Sequence, residues 1–244
     1  MLAAPARAMA LLFMPQTAMM WTSSGHSNSA LVDNLIRDQV VKDARVASAM
    51  RAVDRADFCP PGGRPYDDSP MPIGYGQTIS APHMHAHALE LLKEHLKPGS
   101  KVLDVGVGSG ILAAMMAHMV GEHGKVVSID FPELVSLAER NLLKSCAQQL
   151  GGPSPTIQLH AADGWRGVPD EAPFAAIHVG AAAASVPQAL LDQLEPGGRM
   201  LIPVGPEGGA QALCVVDKSR DGTVTQTAQM SVRFVPLVRT AGGA

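Results

Sequence analysis

Short apolar runs alternate with segments of helical character through most of the chain. The clearest run holds Val102, Leu103 and Val105 and predicts a buried parallel strand. Shortly after it comes ILAAMMAHMV, which has the length and residue types of a buried helix. The further predicted strands are residues 124–130, 156–164, 172–180, 199–205, 211–218 and 224–237. An alternating pattern that finishes with an antiparallel pair predicts one α/β domain over residues 23–244.

The first part of this domain, residues 23–99, carries helices and an irregular segment. Apolar residues at helical spacing between residues 27 and 57 predict two amphipathic helices that cover an edge of the sheet. Asn28 or Ser29 is the predicted cap of the first helix. Near the other end of the chain, residues 187–194 predict a further helix, and the EPGG sequence after it predicts a turn.

A segment rich in proline and glycine separates these first helices from the next one. It reads CPPGGRPYDDSPMPIGYG and predicts a long loop without secondary structure. Long loops inside compact domains tend to be functional, so the residues directly after this loop are of interest. Residues 83–96 predict a helix, with Pro82 in its first turn and Ser80 or Ala81 at its cap. Taken alone, a serine here is equally well explained as a helix cap.

Composition narrows the class of protein. The chain has 244 residues, 46% of them hydrophobic, and a net charge of −3. Because no lysine- or arginine-rich run is present, nucleic acid and anionic membranes are not expected as partners. Two tryptophans and two tyrosines also leave little surface for stacking bases. Three widely spaced cysteines predict a reducing compartment, so we expect a cytoplasmic enzyme.

Residues 1–22 form an apolar extension that differs from the rest of the chain. The extension holds a single arginine and no acid, and two prolines interrupt it. It fits neither a secretory signal nor a mitochondrial presequence, and its apolar run is too short to span a bilayer. We expect either a disordered tail or an upstream start before Met19 or Met20.

A glycine loop supplies the first candidate chemistry. Gly106, Gly108 and Gly110 alternate between the strand at 101–105 and the helix after it, which places backbone N–H groups at the carboxyl edge of the sheet. A dinucleotide fingerprint would require glycine at position 111, which is isoleucine. With Asp104 leading the glycines, the loop instead suits a ligand with a positive amino-acid end, such as S-adenosylmethionine.

Two further acids follow at the ends of the next two predicted strands. Asp130 occupies the position that accepts hydrogen bonds from ribose hydroxyls. Asp163, followed by Gly164, can face an exocyclic amine such as that of adenine. A glycine loop alone is often a mere turn, but three acids at three successive strand ends indicate a nucleoside cofactor.

The histidines do not indicate a metal site. His83, His85 and His87 are two residues apart, and such residues do not share a helix face. His178 lies within an apolar strand, where the favoured interpretation is a hydrogen-bonded core histidine. We therefore expect no metal.

With these residues in view, the chain resembles the protein-L-isoaspartate (D-aspartate) O-methyltransferase family over residues 23–240. The resemblance is carried by IGYGQTISAPHMHAHALELL, LDVGVGSG, IHVGAAA, VPQALLDQLEPGGRMLIPVGP and FVPL. It implies a doubly wound, mostly parallel seven-stranded sheet of the class I S-adenosylmethionine-dependent methyltransferase type, with N-terminal helices and a C-terminal antiparallel strand pair. It also implies a monomer that methylates the α-carboxyl of isoaspartyl residues in damaged proteins and peptides.

The same resemblance implies roles for individual residues. Ser80 would be the active-site serine. The implied cofactor-binding residues are Gln77, Thr78, Ile79, Ser80, His85, Asp104, Gly106, Gly108, Gly110, Asp130, Phe131, Glu133, Leu134, Asp163, Gly164, Val179 and Gly180. The implied substrate-binding residues are Ile79, Ser80, Ala181, Ala182, Val235, Pro236 and Leu237. Departures from the family pattern are the inserted CPPGGRPY, Ala184, Ser185 and a short glycine-rich end, which affect the entrance rather than the cofactor site.

The chemistry of this reaction needs few catalytic groups. A carboxylate is ionised at neutral pH and serves as the nucleophile without a general base. Catalysis is then mainly positioning and exclusion of water, with Ser80 orienting the carboxylate by a hydrogen bond. Two alternatives stay open: a methyltransferase of the same fold with another acceptor, and a protein that binds S-adenosylmethionine without catalysis.

Overall fold

The computed structural model describes residues 23–151 and 156–239. Its helices are α1 (Asn28–Arg37), α2 (Ala44–Ala52), α3 (Pro82–Leu92), α4 (Ile111–Val120), α5 (Pro132–Ser145), α6 (Ala147–Leu150) and α7 (Gln188–Gln193). Its strands are β1 (Met71–Gly74), β2 (Gln77–Ile79), β3 (Lys101–Val105), β4 (Lys125–Asp130), β5 (Ile157–Ala161), β6 (Phe174–Val179), β7 (Leu194–Val204), β8 (Gln211–Lys218) and β9 (Val224–Val232). The predictions for residues 1–22 and for the chain end after residue 239 lie outside the described residues.

Seven strands form one sheet in the order β5-β4-β3-β6-β7-β8-β9. Neighbours from β5 to β7 are parallel, and β8 and β9 are antiparallel additions at one side. The order reverses at β3, so the chain winds outward from the middle of the sheet in both directions. This confirms the predicted doubly wound sheet with its C-terminal antiparallel pair.

The alternation of side chains along β3 builds two apolar layers, one on each face of the sheet. Val102 packs in the layer that holds α1 to α4, whereas Leu103 and Val105 pack with Leu190 of α7 in the other. Because successive side chains of a strand point to opposite faces, Asp104 lies on the face of Val102. A carboxylate therefore sits within the larger apolar layer, at the end of the strand that precedes the glycine loop.

The cap predicted for the first helix is wrong by one residue. Ser27 is the cap, and its side chain accepts a hydrogen bond from the N–H of Ala30. Asn28 lies inside the helix, where its side-chain nitrogen donates to the carbonyl of Met50 at 2.9 Å. Asn28 thus fastens α1 to the end of α2, a role that sequence spacing does not reveal.

The long loop predicted over residues 59–76 is wrong in its last part. Met71–Gly74 pairs antiparallel with Gln77–Ile79, forming a two-stranded hairpin. The turn between the strands needs left-handed backbone, which Tyr75 adopts at φ 55° and Gly76 at φ 70°. Pro72 is tolerated because a strand of a two-stranded ribbon has one unpaired side. The proline and glycine content that predicted a loop therefore reflects a tight hairpin.

Helix α3 ends at Leu92, four residues earlier than predicted. Leu96 is nevertheless fully buried, so its apolar spacing imitates a longer helix. The carbonyls of Lys93 and Leu96 accept hydrogen bonds from the Arg45 guanidinium at 2.9 and 3.1 Å. Both carbonyls lie beyond the last helical residue, so Arg45 contacts the segment that connects α3 to β3.

Two strand boundaries at the other end of the chain also differ from prediction. The EPGG sequence lies inside β7 rather than in a turn, because Leu194 pairs with Phe174 before the register shifts. Gly197, at φ 92°, provides the left-handed backbone of this irregularity. Strand β9 ends at Val232, so FVPL lies beyond the sheet rather than within the strand.

Candidate active site

A cleft of about 680 Å³ opens beyond the carboxyl ends of the central strands. Three parts of the chain line it: the β2–α3 region, the loops after β3, β4, β5 and β6, and the segment after β9. Among the residues that line it are the following predicted site residues: Gln77, Thr78, Ser80, Gly106, Gly108, Asp130, Phe131, Leu134, Gly164, Gly180, Ala181, Val235, Pro236 and Leu237. Residues far apart in sequence therefore meet on the walls of one cleft.

Other predicted site residues do not line this cleft. Ile79 and His85 line a smaller pocket of about 60 Å³ that shares Ser80 and Gly106 with the cleft. The remaining ones, on the walls of neither, are Asp104, Gly110, Glu133, Asp163, Val179 and Ala182. Their assignments to the cofactor or the substrate stay predictions.

The three glycines of the loop adopt backbone conformations that residues with a side chain rarely take. Gly106, Gly108 and Gly110 all have positive φ, at 89°, 51° and 92°. At Gly110 an added Cβ would lie 3.2 Å from Leu142 Cγ and 3.3 Å from Ala138 Cβ. The third glycine therefore lets α5 pack against the start of α4, while the first two line the cleft.

Asp130 at the end of β4 holds the loop in place. Its Oδ2 accepts a hydrogen bond from the Gly108 N–H at 2.9 Å, and its Oδ1 accepts one from the Phe131 N–H at 2.8 Å. Burial raises the pKa of this carboxyl, and the two backbone hydrogen bonds partly offset that rise. The carboxylate lines the cleft with acceptor capacity remaining, as a ribose-binding residue requires.

Asp104 lines neither the cleft nor the smaller pocket, and its carboxylate contacts β6. Its register partner there is His178, and the His178 Nδ1 lies 2.8 Å from Asp104 Oδ1. The carboxylate is 1% exposed, and its Oδ2 has no hydrogen-bond partner among the described residues. His178 is therefore hydrogen-bonded, as the sequence indicated, and its partner is a proposed cofactor residue.

Asp163 lies two residues after β5, in the segment that contacts residues 234–237. Its Oδ1 accepts from the Trp165 N–H at 2.9 Å, and its buried Oδ2 has no partner within the described part of the chain. The Trp165 Nε1 donates to the Leu237 carbonyl at 2.8 Å. Ala182 exchanges backbone hydrogen bonds with Val235 and Leu237. These contacts hold residues 234–237, hereafter the strap, over the cleft.

Ser80 lies between β2 and α3, on the wall of both the cleft and the smaller pocket. The cap of α3 is Ala81, which makes no side-chain hydrogen bond, so Ser80 does not serve as the capping serine. No hydrogen bond joins the Ser80 hydroxyl to another described side chain or backbone group. Its hydroxyl is therefore available to a ligand in the cleft.

His85, the histidine predicted to contact the cofactor, is buried in α3 beside this serine. Burial holds its pKa well below the usual value, and the nearby charges of Arg55, His178 and His83 lower it further. A neutral imidazole is therefore expected at physiological pH.

Several lining residues were not foreseen from the sequence. Arg233 lies between β9 and the strap, Phe234 is the first residue of the strap, and His83 and Met84 follow Ser80 in the first turn of α3. The other unforeseen lining residues are Pro70, Ala81, Val105, Ile129, Ala162, Ser231, Val232 and Val238. Most of them lie one or two positions from a predicted site residue in the sequence. This adjacency is a signal that could have identified them.

The residues present fit S-adenosylmethionine. The buried Oδ2 atoms of Asp104 and Asp163 lack partners in the described residues and suit the cofactor's ammonium and adenine amine. Asp130 offers a carboxylate for ribose hydroxyls, and Gly106 leaves room for close backbone approach. Within the described residues, no group of three or more metal-ligating side chains is found, and no helix is long and apolar enough to cross a membrane.

The doubly wound sheet, the glycine loop and the three acids define an S-adenosylmethionine-dependent methyltransferase of class I. Comparison with known proteins narrows this class. The family model "Protein-L-isoaspartate(D-aspartate) O-methyltransferase (PCMT)" matches residues 26–242, and the chain belongs to this family.

Relatives and solved structures agree with this placement. The protein-L-isoaspartate O-methyltransferase of Triticum aestivum is 51% identical over 90% of this chain and 95% of its own. The one from Caenorhabditis elegans is 48% identical over 90% of this chain and 96% of its own. A structure assigned to this enzyme from Plasmodium falciparum, in complex with S-adenosyl-L-homocysteine, has a TM-score of 0.80 at 31% identity, covering 88% of this chain and 99% of that one.

Proposed function

We propose that the chain transfers a methyl group from S-adenosylmethionine to the free carboxyl of damaged aspartyl residues in proteins and peptides. This is the α-carboxyl of an L-isoaspartyl residue and the side-chain carboxyl of a D-aspartyl residue. Its family and its relatives support this acceptor. The observation that carries the proposal is the position of Ser80, which lines the same cleft as the glycine loop and Asp130. A serine without a base partner suits orientation of a substrate rather than nucleophilic attack.

The residues of the chain have positioning roles in this reaction. When bound, the cofactor supplies a methyl group already activated on a sulfonium. Ser80 would donate a hydrogen bond to the substrate carboxylate, which is ionised at neutral pH and needs no base. The strap would exclude water, since Val235, Pro236 and Leu237 present apolar side chains to the cleft. Asp104, Asp130 and Asp163 would hold the cofactor at its ammonium, ribose and adenine.

The methyl ester formed by this reaction is a better electrophile than the carboxylate, because it can lose its methoxy group as methanol. Attack by the neighbouring backbone nitrogen then closes a succinimide and expels methanol. Hydrolysis of the ring returns a fraction of normal aspartyl linkages, which makes the reaction a repair.

The test compares two peptides that are identical except for one isoaspartyl or normal aspartyl linkage. With methyl-labelled S-adenosylmethionine, we expect label on the isoaspartyl peptide alone, released as methanol by mild base. Label on neither peptide, with cofactor binding intact, would favour another acceptor or a binding protein without catalysis. Label on both would contradict selection of the isoaspartyl linkage.

We also propose that the protein acts as a monomer in the cytoplasm, without nucleic acid or membrane partners. Support for a monomer is that the large exposed apolar side chains of the described residues, Tyr75, Leu143, Val224 and Val238, are few and scattered along the sequence. The three cysteines are free thiols, as in a reducing compartment. Light scattering that gives twice the chain mass would contradict the monomer.

A further inference from the structure

We infer that Arg233 is a specificity-determining residue that binds an acidic side chain near the isoaspartyl residue of the substrate peptide. This inference rests on the proposed function and adds a preference for the charge of the peptide. Arg233 directly precedes the FVPL sequence, and nothing in the sequence alone assigns it a role. The structure places it on the wall of the cleft.

Arg233 provides a positive charge that no group of the protein neutralises. It is the only lysine or arginine among the described residues that line the cleft. The residue is exposed, and no hydrogen bond or ion pair joins its side chain to another described residue. A guanidinium carries a permanent charge and a planar set of donors that matches a carboxylate. Since exposed arginines are commonly just solvated, the place of Arg233 in the cleft decides its role.

The strap crosses the cleft from the β8–β9 side to the β5 side. Its first residue, Phe234, donates its backbone N–H to the side-chain oxygen of Gln211, at the start of β8, at 2.7 Å. Its last residue, Leu237, accepts a hydrogen bond from Trp165, in the segment after β5. Arg233 precedes Phe234 and therefore lies at the end of the strap that is farther from β5.

The acids proposed for the cofactor occupy the other side of the sheet edge. Asp104, Asp130 and Asp163 lie at or just after the ends of β3, β4 and β5, which are neighbours in the sheet. A cofactor held by these acids therefore extends over β3, β4 and β5. Strand β9 runs parallel to β3 and ends at the same edge, four strand spacings or about 19 Å away along the sheet. Arg233 follows β9, on the side that this cofactor leaves free for the peptide.

A peptide that brings its carboxylate to Ser80 passes close to Arg233. Phe234, the neighbour of Arg233, lines the smaller pocket together with Ser80. Val235 lies two residues from Arg233, at most about 7 Å along the chain, and its carbonyl accepts a hydrogen bond from the Ala182 N–H. Because an extended peptide advances about 3.3 Å per residue, a side chain about two or three positions from the isoaspartyl residue reaches Arg233.

The exposure of Arg233 indicates which carboxylate it binds. The carboxylate that is methylated has to be shielded from water, whereas a flanking side chain can stay at the rim of the cleft. The cofactor acids repel an acidic peptide, and a cation at the rim offsets this repulsion while it disfavours lysine. An exposed ion pair contributes little, so the expected preference is modest.

The test uses three isoaspartyl peptides that differ only in carrying Glu, Gln or Lys at one flanking position. Each of the three positions on either side of the isoaspartyl residue is varied in turn. The variants are Arg233→Gln, which removes the charge, and Arg233→Glu, which reverses it. Arg220→Gln is the matched control, because Arg220 is exposed at the opposite end of the β8–β9 hairpin and lines neither the cleft nor the smaller pocket.

We expect the wild-type enzyme at low salt to favour the Glu peptide over the Gln peptide by about twofold to fivefold in kcat/KM at one or more positions, mainly through KM. Arg233→Gln should abolish this preference, and Arg233→Glu should favour the Lys peptide instead. Arg220→Gln should keep the wild-type preference, and added salt should reduce it. S-adenosylhomocysteine affinity by calorimetry should change less than about twofold in every variant, since Arg233 lies away from the cofactor acids.

Three results would overturn the inference while leaving the proposed function intact. They are equal kcat/KM for the three peptides at every position, a Glu preference that persists in Arg233→Glu, and an equal loss for all three peptides in Arg233→Gln. The last result would assign Arg233 to the methylated carboxylate, or to the cofactor if S-adenosylhomocysteine affinity falls as well. A wild-type enzyme that methylates none of the isoaspartyl peptides would instead refute the proposed function.

Discussion

Ser80 carries the proposed chemistry at the scale of a single residue. Ser80→Ala removes the hydrogen bond that we propose to the substrate carboxylate and leaves the cap of α3, Ala81, unchanged. We expect kcat/KM to fall about tenfold to a hundredfold, because loss of a hydrogen bond to a charged group also loosens the alignment of the reacting atoms. Steady-state kinetics and calorimetry with S-adenosylhomocysteine measure the two effects separately. Equal loss of turnover and cofactor affinity would assign Ser80 to the cofactor instead.

The buried carboxylate of Asp104 leads to a prediction about the cofactor. Asp104→Asn keeps the size of the side chain and removes the negative charge that we propose for binding the cofactor's ammonium. We expect S-adenosylhomocysteine affinity to fall about tenfold to a hundredfold. Methylthioadenosine, which lacks the amino-acid part, is the matched ligand, and its affinity should stay within about twofold. Equal weakening of both ligands in calorimetry would show that Asp104 supports the loop rather than the ammonium.

The sequence predicts the place of a single residue well where that place follows from the helix or strand that contains it. Asp130 directly ends a strand, so its place at the sheet edge could be predicted from the pattern alone. The contacts of Asp104 with His178, and of Asp68 with His83, depend on strand register and on a hairpin that the pattern did not reveal. Partner choice between distant segments is a tertiary property, and spacing along one chain does not encode it.

The strap lines the cleft, and we expect its contacts to slow the release of a bound ligand. Trp165→Phe keeps an aromatic ring and removes the hydrogen bond from Nε1 to the Leu237 carbonyl. Since a net hydrogen bond is worth about 0.5–1.5 kcal/mol, S-adenosylhomocysteine should dissociate about twofold to tenfold faster. Stopped-flow displacement measures this rate.

The same ring also contacts Arg239, whose guanidinium carbon lies 5.1 Å from the ring centroid. Arg239→Ala therefore serves as the control that removes this contact and keeps the hydrogen bond. Unchanged dissociation in Trp165→Phe would show that the strap does not retain the ligand.

The central parts of elements with a continuous apolar pattern were predicted correctly, whereas the ends of α3 and β9 and the elements with special backbone were not. Strand β4 matches its prediction closely because Val126, Val127 and Ile129 are all buried on a parallel strand. The β1–β2 hairpin and the irregular start of β7 use glycines with positive φ inside paired structure. Glycine and proline mark both loops and tight pairings, and only the tertiary contacts distinguish them.

At the scale of the molecule, buried neutral histidines link stability to pH. The pKa of His85 is held well below its ordinary value of 6.5, first by burial, and burial also lowers the pKa of His87 and His95. The unfolded chain therefore binds more protons than the folded one below about pH 6.5, so the free energy of unfolding falls as the pH falls.

His85→Gln tests this link in the protein without cofactor. Each buried neutral histidine changes the free energy of unfolding by up to about 1.4 kcal/mol per pH unit. We expect the variant to lose less stability than wild type between about pH 6.5 and 5.5 in urea titrations. His118→Ala, at an exposed position, should keep the wild-type slope. Parallel pH curves for His85→Gln and wild type would show that His85 is not a buried neutral group.

The strap, which lines the cleft, belongs to the last part of the described chain and is therefore synthesised late. The ribosome releases the glycine loop and Asp130 well before the strap, because domains emerge from their N-terminal side first. A nascent chain can pair β3, β4 and β5 while its nucleoside site still lacks a cover. Ligand binding adds stability only to molecules that can bind. We therefore expect the cofactor to stabilise chains whose C-terminal segment has docked more than partly synthesised chains, which lack the strap.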